Sequence, residues 1–423
     1  MSLNETPSAN RLHIAFFGRR NAGKSSLVNA VAGQNLALVS EIKGTTTDPV
    51  YKAMEMLPLG PVVIIDTPGF DDEGELGMMR VSRAKQVLNK ADAAVLVLDG
   101  DFLSSGAGFE SIAGNAETEL VSLFMAKNIP YITVLNKFDK EEAKLAQASR
   151  WELTAPQLNK YYSNVIPVSA KTGFNINLLK EKIASLALKQ EPQRRLAGDL
   201  IQAGDFVVLV IPIDKAAPKG RLILPQQQVI RDILEAGAAA VSVRETELKK
   251  TLSDLGKKPS LVITDSQVFA QVSAAVPPDI FLTSFSILFA RYKGFLKTAV
   301  DGAAALDCIK DGDKILVCEG CTHRRQCGDI GTVKIPGLVK NHSGREPLFS
   351  FCSGGDFPEE LADYKLIIHC GSCMLNEREM QRRRSLAAEQ NIPLTNYGIA
   401  IAHMQGMLGR SIEIFNFTGE GLL

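Results

Sequence analysis

Residues 11–33 read RLHIAFFGRRNAGKSSLVNAVAG. An apolar run with the look of a buried strand (11–18) enters a loop bracketed by Gly18 and Gly23. The loop opens directly into helix-forming SSLVNAVAG. Strand, glycine loop, then helix is the context a phosphate-binding loop requires. Gly18 and Gly23 let backbone N–H groups turn inward around phosphates, and the helix N-terminus adds its positive end. In that arrangement Lys24 reaches the β- and γ-phosphates and the Ser25 hydroxyl sits on Mg2+.

Three later segments extend the reading. VVIIDTPGF (62–70) is an apolar strand ending in Asp66, placed to act on Mg2+ through a bound water, with Gly69 offering its N–H to a γ-phosphate. PYITVL runs into NKFD (136–139), where Asp139 accepts from both the ring N–H and the exocyclic amine of guanine. Adenine lacks those donors and would leave the carboxylate unpaired, which rejects it strongly. Asn136 braces the loop, and SAK (169–171) closes over the base after the strand SNVIPVS. An α/β domain matching by accident would need four coincidences in the right order. The reading is a GTPase that binds GTP with Mg2+. Its nucleotide contacts are Gly18, Asn21, Ala22, Gly23, Lys24, Ser25, Ser26, Asp66, Gly69, Asn136, Lys137, Asp139, Ser169, Ala170 and Lys171.

Residues 11–187 resemble the translation-factor-related GTPases of the TrmE and Era type. GTTTD (44–48) matches their switch I, which implies that Thr46 is a Mg2+ ligand and joins Lys24 and Gly69 at the reacting phosphate. Phe70 stands where Ras-like proteins carry the water-orienting Gln, so slow intrinsic hydrolysis is expected. Asn21 matches the loop Asn that helps hold K+ beside the phosphates in potassium-stimulated relatives. A monovalent cation there stabilises transition-state charge in place of an arginine finger. A loop-capping role for Asn21 is the other reading, and the two stay open. DDEGELGMMRVSRAKQVL (71–88) suits a switch II followed by a helix, or a solvated loop.

The 423 residues are 45% hydrophobic and 22% charged with zero formal net charge, an ordinary globular composition that points to neither nucleic acid nor an anionic membrane. No apolar run reaches membrane-spanning length, and the polar start MSLNETPSAN lacks the apolar core of a signal peptide, so a cytoplasmic protein is expected. The segment 188–205 turns polar around Pro192 and two glycines, which places a boundary near 190. Beyond it FVVLVIPID, PQQQVIRDILEAG, AAAVSVRE, ELKKTLSDLG and PSLVITDS alternate strand and helix, implying a small parallel layer over 191–276. With no histidine and no cysteine among those elements, self-association or a spacer role is the natural reading.

The third unit, 277–423, begins at DIFLTSFSILFARYKGFLKTAV. All seven cysteines lie between Cys308 and Cys373, with His323, His342 and His369 in the same window. In a reducing compartment such a cluster suggests metal or redox chemistry. DKILVCEGC (313–321) and YKLIIHCGSC (364–373) are each a strand feeding a loop, so both ligand groups leave the C-terminal ends of buried strands, where α/β sheets place their sites. Gly371 is expected to bend the CGSC loop. Cys352 and Cys308 read as small apolar side chains, and Arg382, Arg383 and Arg384 as a solvated helix face or an attractor of anions.

Two ligand sets remain open. Cys318-x-x-Cys321 with Cys370-x-x-Cys373 has the count of a structural zinc site, but leaves His323 and His369 unexplained. The alternative is Cys321-x-His323 and, after forty-five residues, His369-Cys370-x-x-Cys373. That spacing resembles the HydF family of FeFe-hydrogenase maturation GTPases, and the resemblance runs through the whole chain, including IPIDKAAPKGRLILPQQQVIRDIL, which is similar to that family's dimerisation region. It implies three α/β domains: a P-loop GTPase (1–190), a dimerisation domain (191–276) and an iron–sulfur domain (277–423). It implies that Cys321, Cys370 and Cys373 hold a 4Fe–4S cluster with a labile non-cysteine ligand on the fourth iron. His323, His369 and the tail residue Glu420 are candidates for that ligand or for contacts to cargo, while a strand-end histidine bonded to backbone is the plainer reading of the first two. The implied cargo is a transient di-iron precursor carrying CO, cyanide and a dithiolate bridge, made with radical-SAM enzymes and passed to apo FeFe-hydrogenase by a homodimer. Cys318 and Cys327 fall outside the motif. A zinc-binding regulatory GTPase, or a ribosome- or tRNA-related one, is the competing function.

Overall fold

The computed structural model describes residues 7–33, 49–69, 86–100, 115–139, 162, 165–187, 194–213, 222–320 and 329–417. Thr46, Phe70, Cys321, His323, Cys327 and Glu420, with most of 71–88 and the segment 214–221, lie outside the described residues. The chain divides into two compact units, Met1–Pro192 and Gln193–Leu423.

The first unit is built on a six-stranded sheet. Its strands are β1 (Leu12–Phe17), β2 (Val50–Met56), β3 (Gly60–Asp66), β4 (Ala93–Asp99), β5 (Tyr131–Asn136) and β6 (Val165–Pro167), in the order β2-β3-β1-β4-β5-β6. β2 pairs antiparallel with β3, and the remaining neighbours are parallel. Side chains alternate across a strand, so a strand covered on both faces is apolar throughout. β1 shows this: Ala15 and Phe17 enter one core, Ile14 and Phe16 the other. Each fully buried phenylalanine contributes about 1.5–3 kcal/mol. Because the strands are parallel, their C-terminal ends meet along one edge, and the loops carrying Gly18, Asp66 and Asn136 all leave from that edge.

The second unit holds two four-stranded sheets. β7 (Phe206–Val210), β8 (Ala239–Val243), β9 (Leu261–Thr264) and β10 (Phe281–Ser284) form one, ordered β10-β9-β7-β8. β11 (Lys314–Glu319), β12 (Leu348–Ser353), β13 (Tyr364–His369) and β14 (Leu394–Asn396) form the other, ordered β12-β11-β13-β14. Every pairing in both is parallel. One apolar core reaches across both sheets, from Val207 and Leu261 to Leu316, Ile367 and Met380. The division expected at 276/277 falls between β9 and β10, which are hydrogen-bonded neighbours in the first sheet. The segment DIFLTSF therefore completes that sheet before the chain passes to the next.

No helix among the described residues is long and apolar enough to cross a membrane.

Candidate functional site

At the edge of the first sheet, β1 ends at Phe17 and the helix Lys24–Ala32 begins seven residues later. Gly18 passes so close to β4 that a Cβ on it would lie 2.3 Å from Val97 O. Gly23 takes φ +83°, and a Cβ there would meet Asn136 Nδ2 at 2.3 Å. Asn21 also sits in the left-handed region at φ 61°. No side chain caps this helix and its first turn carries no acidic residue, so its N–H groups face outward with their positive potential intact. Lys24 is buried and folds back over the loop, donating to Gly18 O at 2.8 Å and Arg19 O at 2.7 Å.

Ser25 Oγ donates to Asp66 Oδ2 at 2.6 Å. Asp66 Oδ1 is buried with no hydrogen-bond partner. Burial pushes this carboxyl up, opposed by the Ser25 hydrogen bond and the charges of Lys24 and Lys52. A buried carboxylate oxygen without a donor, beside a hydroxyl, is suited to a hydrated divalent cation, so these residues fit Mg2+. Gly69 packs on the loop itself, where a Cβ would lie 2.7 Å from Arg20 N.

The base side is tied to the phosphate side by Asn136. Its Nδ2 donates to Ala22 O at 3.0 Å, while its Oδ1 accepts from Ala170 N at 3.1 Å. Asn136 thus links the two loops. Asp139 accepts from the Ser169 hydroxyl, and Ser169 Oγ accepts from Thr172 N at 2.9 Å. Lys137 takes φ 68° and its Nζ pairs with Asp99 Oδ2 at 2.6 Å. Ser26 and Lys171 are exposed beside these groups. Sequence reading missed two residues here. Glu117 grips Arg19 from outside the loop, Nη2 to Oε2 at 2.8 Å, and Lys52 on β2 places its charge on Asp66. Neither belongs to a short motif, so only the fold brings them in.

At the C-terminal edge of the third sheet, register aligns Cys352, Cys318, His369 and Asn396 in one row across β12, β11, β13 and β14. Gly320 leaves β11 and Cys370 leaves β13 side by side, with Cys370 N donating to Cys318 O at 2.8 Å. Two backbone N–H groups converge on Cys370 Sγ, from Gly320 at 3.0 Å and Ser372 at 3.4 Å. Burial pushes this thiol up, and the two N–H groups act against that by stabilising the thiolate. The sharp bend of the loop is made by Ser372 at φ 59°, not by Gly371. Ser372 bears that conformation because its Oγ is held by Cys370 O at 3.2 Å and His369 Nδ1 at 3.1 Å.

Cys318 shares the sheet face of Leu316 and lies 3.0 Å, sulfur to sulfur, from Cys352. Cys370 packs on the opposite face, against the core of Ile315 and Val317. The same tight packing raises the Cys318 thiol, mainly through burial. Cys352 is therefore a neighbour of a second thiol rather than an isolated apolar filler.

His369 is fully buried. Arg383 Nη1 donates to its Nε2 at 2.9 Å, and its Nδ1 lies 3.0 Å from Cys370 O. Burial first, and the Arg383 charge second, push its pKa down to about 3. Arg383 itself is fully buried, bonded through Nε to Glu379 Oε1 at 2.8 Å and resting 5.0 Å over the Phe357 ring. The arginine run is thus not a solvated face: Arg383 points into the core, and Arg384 donates to Gly294 O at 2.8 Å. Removing Glu379 leaves Arg383 as an uncompensated buried charge. Glu379→Ala should cost about 3–5 kcal/mol, read as a lower urea midpoint, and Arg382→Ala on the same helix should cost far less.

Tyr397 was also missed. Its hydroxyl is buried without a partner, and its pKa is raised by burial and then by the charges of Cys370 and Glu319. A buried donor left unpaired beside a cysteine loop is suited to a group that the loop would hold.

A family model described as 50S ribosome-binding GTPase matches residues 13–137, hydrogen maturase F dimerization domain matches 196–294, and hydrogen maturase F tetramerization domain matches 297–414. Among curated proteins, the tRNA modification GTPase MnmE of Methylococcus capsulatus is 34% identical over 167 residues, covering 39% of this chain and 32% of its own. GTPase Der of Wolinella succinogenes is 34% identical over 186 residues, covering 43% and 36%. The chain spans about a third of the length of these relatives. Among solved structures, an Era variant of Aquifex aeolicus bound to GDP·AlF4− aligns at TM-score 0.34 and 21% identity, over 55% of this chain and 93% of that one. The two hydrogen maturase F models lie in order behind a GTPase domain and together match just over half of the residues, and on that basis the chain belongs to the hydrogen maturase F family.

Proposed function

We propose that the protein is a GTP-hydrolysing carrier in FeFe-hydrogenase maturation, cytoplasmic and at least dimeric. In this reading Cys321, Cys370 and Cys373 hold a 4Fe–4S cluster. The cargo is the di-iron precursor made with radical-SAM enzymes and handed to apo-hydrogenase. The observation that carries the reading is the environment of Cys370: a thiol at the end of a parallel strand, receiving two backbone N–H groups, one of them from Gly320, the residue that precedes Cys321 in the sequence. N–H groups aimed at sulfur favour the thiolate that iron needs. Bound by three thiolates, such a cluster keeps one iron open to an exchangeable ligand, which is where cargo is held and released.

His369 serves this site as a strut, because both its ring nitrogens are engaged and Arg383 fixes its Nε2. That leaves His323 and Glu420 as candidates for the exchangeable ligand. The orphan Tyr397 hydroxyl supplies a donor beside Cys370. A four-thiolate zinc site needs Cys318, whose buried sulfur already has a thiol neighbour in Cys352 at 3.0 Å, and would leave His323 without a part; core side does not separate the two ligand sets, since Cys373 packs against the same core as Cys318.

The nucleotide governs handover rather than driving iron chemistry, since its groups and the cysteine loop belong to separate compact units. Release of apo-hydrogenase should differ between the GTP- and GDP-bound protein by tenfold or more, and equal release with GTP, GDP and a non-hydrolysable analogue defeats the switch. Hydrolysis is intrinsically slow and accelerated by K+, with Asn21 as a K+ ligand. GTP turnover should rise at least about tenfold in K+ over Na+, and Asn21→Ala should erase that difference while leaving the Na+ rate within twofold. A K+ effect that survives the substitution returns Asn21 to the role of a loop cap.

A further inference from the structure

Three side chains from separate elements of the second unit, none of them used by either site above, meet. They are Asp307 in the 3-10 turn Ala304–Cys308, His342 in the last turn of the helix Ile335–Ser343, and His403 in the last turn of the helix Tyr397–Met404. His342 Nε2 is 2.8 Å from Asp307 Oδ1. His403 Nε2 is 3.1 Å from Oδ1 and 3.0 Å from Oδ2. The two imidazoles meet edge-on, centroids 5.9 Å apart. One donor atom from each of the three residues falls within 4.8 Å of the others.

We propose that Asp307, His342 and His403 bind a divalent first-row transition ion, Zn2+ above all, through two imidazoles and one carboxylate. Two nitrogen donors with one oxygen suit Zn2+ and its neighbours, whereas Mg2+ and Ca2+ prefer an all-oxygen shell. Both Nε2 atoms already aim at the same carboxylate. Seating an ion between them asks each Nε2···carboxylate contact to widen only slightly, to the roughly 3.3 Å separation of a tetrahedral set with bonds of about 2.0–2.1 Å. Each neutral imidazole moves its proton to Nδ1, so no proton need leave. Both histidines also sit at helix C-termini, where the backbone favours positive charge. Their side chains are 25% and 21% exposed, which leaves solvent room to complete the coordination. The carboxyl of Asp307 is held below the usual range by His342 and then His403, so it is ionised at neutral pH and ready to ligate. An ion there would tie together the turn before β11, the helix between β11 and β12, and the helix after β14.

The test is anaerobic Co2+ titration of full-length protein with GDP and Mg2+ present, followed by visible absorption and equilibrium dialysis. The wild type should bind one more equivalent of Co2+ than His342→Ala/His403→Ala. Asp307→Asn should weaken that equivalent at least tenfold, and Cys373→Ser should leave it in place. Zn2+ should raise the thermal midpoint of the wild type by several degrees and leave the double variant unmoved, by the linkage of binding to folding. The far-UV circular dichroism and the metal-free thermal midpoint of the double histidine variant and of Asp307→Asn should match the wild type, which reports that the second unit folds in both. If the alanine pair does not fold, His342→Gln/His403→Gln, which keeps the hydrogen bonds, replaces it. Equal Co2+ stoichiometry in the wild type and the folded double variant overturns the proposal.

Discussion

Cys370→Ser should cut the iron retained after anaerobic reconstitution from about four atoms per chain to below about one, with loss of the cluster's EPR signal and of hydrogenase activation. GTP hydrolysis should stay within twofold, because the nucleotide groups lie in the other compact unit. Serine keeps the shape of cysteine closely, but its hydroxyl remains protonated where a thiolate ligand is required. The two N–H groups from Gly320 and Ser372 would then face a neutral oxygen and no longer stabilise a ligand anion. Cys373→Ser should behave the same way. The informative contrast is Cys318→Ala, whose side chain faces Cys352 across two paired strands. It should keep its iron and lose only packing, about 1–3 kcal/mol of stability. If Cys318→Ala empties the site as completely as Cys370→Ser, four thiolates are at work and the zinc reading revives.

The parts of this molecule legible in its sequence are those fixed by local chain geometry. The loop 18–25 could be read because glycine at 18 and 23 answers needs that a side chain would block, namely Val97 O and Asn136 Nδ2 at 2.3 Å. The alternation in 206–264 and the strands before Gly320 and Cys370 could be read because buried parallel strands are apolar on both faces. What escaped depends on contacts made far along the chain. Nothing in DIFLTSF tells that it pairs with β9 rather than opening a new layer. Arg383 and Glu379, four residues apart, look like any exposed helical ion pair until Phe357 and Gly354 O close over them. The left-handed turn fell to Ser372 and not Gly371 because hydrogen bonds from its side chain offset the strain, which composition does not reveal. Asp307, His342 and His403 are separated by more than thirty residues at each step, so only the fold makes them one cluster.

Asp139→Asn should exchange the guanine preference for a xanthine preference. The carboxylate, steadied by the Ser169 hydroxyl, follows the Asn136 brace by three residues, so its position is set by the same contacts that hold the phosphate loop. Guanine offers it two donors, and a hydrogen bond to a charged group is worth about 1.5–3 kcal/mol. An amide accepts at one atom only and turns its N–H2 toward the other donor, so about 3–6 kcal/mol is lost, on the order of 10^2–10^4 in Kd for GTP. Xanthine carries a carbonyl where guanine has its exocyclic amine, and that carbonyl accepts from the new amide. The variant should therefore bind and hydrolyse XTP with a kcat near that of the wild type on GTP, since Lys24, Ser25 and Asp66 are untouched. Its KM for GTP should rise while the Mg2+ requirement stays the same. Nucleotide titration by a fluorescent analogue, competed in turn with GTP, XTP and ATP, reads all three affinities. Retention of GTP within a few-fold of the wild type would place base recognition on groups other than Asp139.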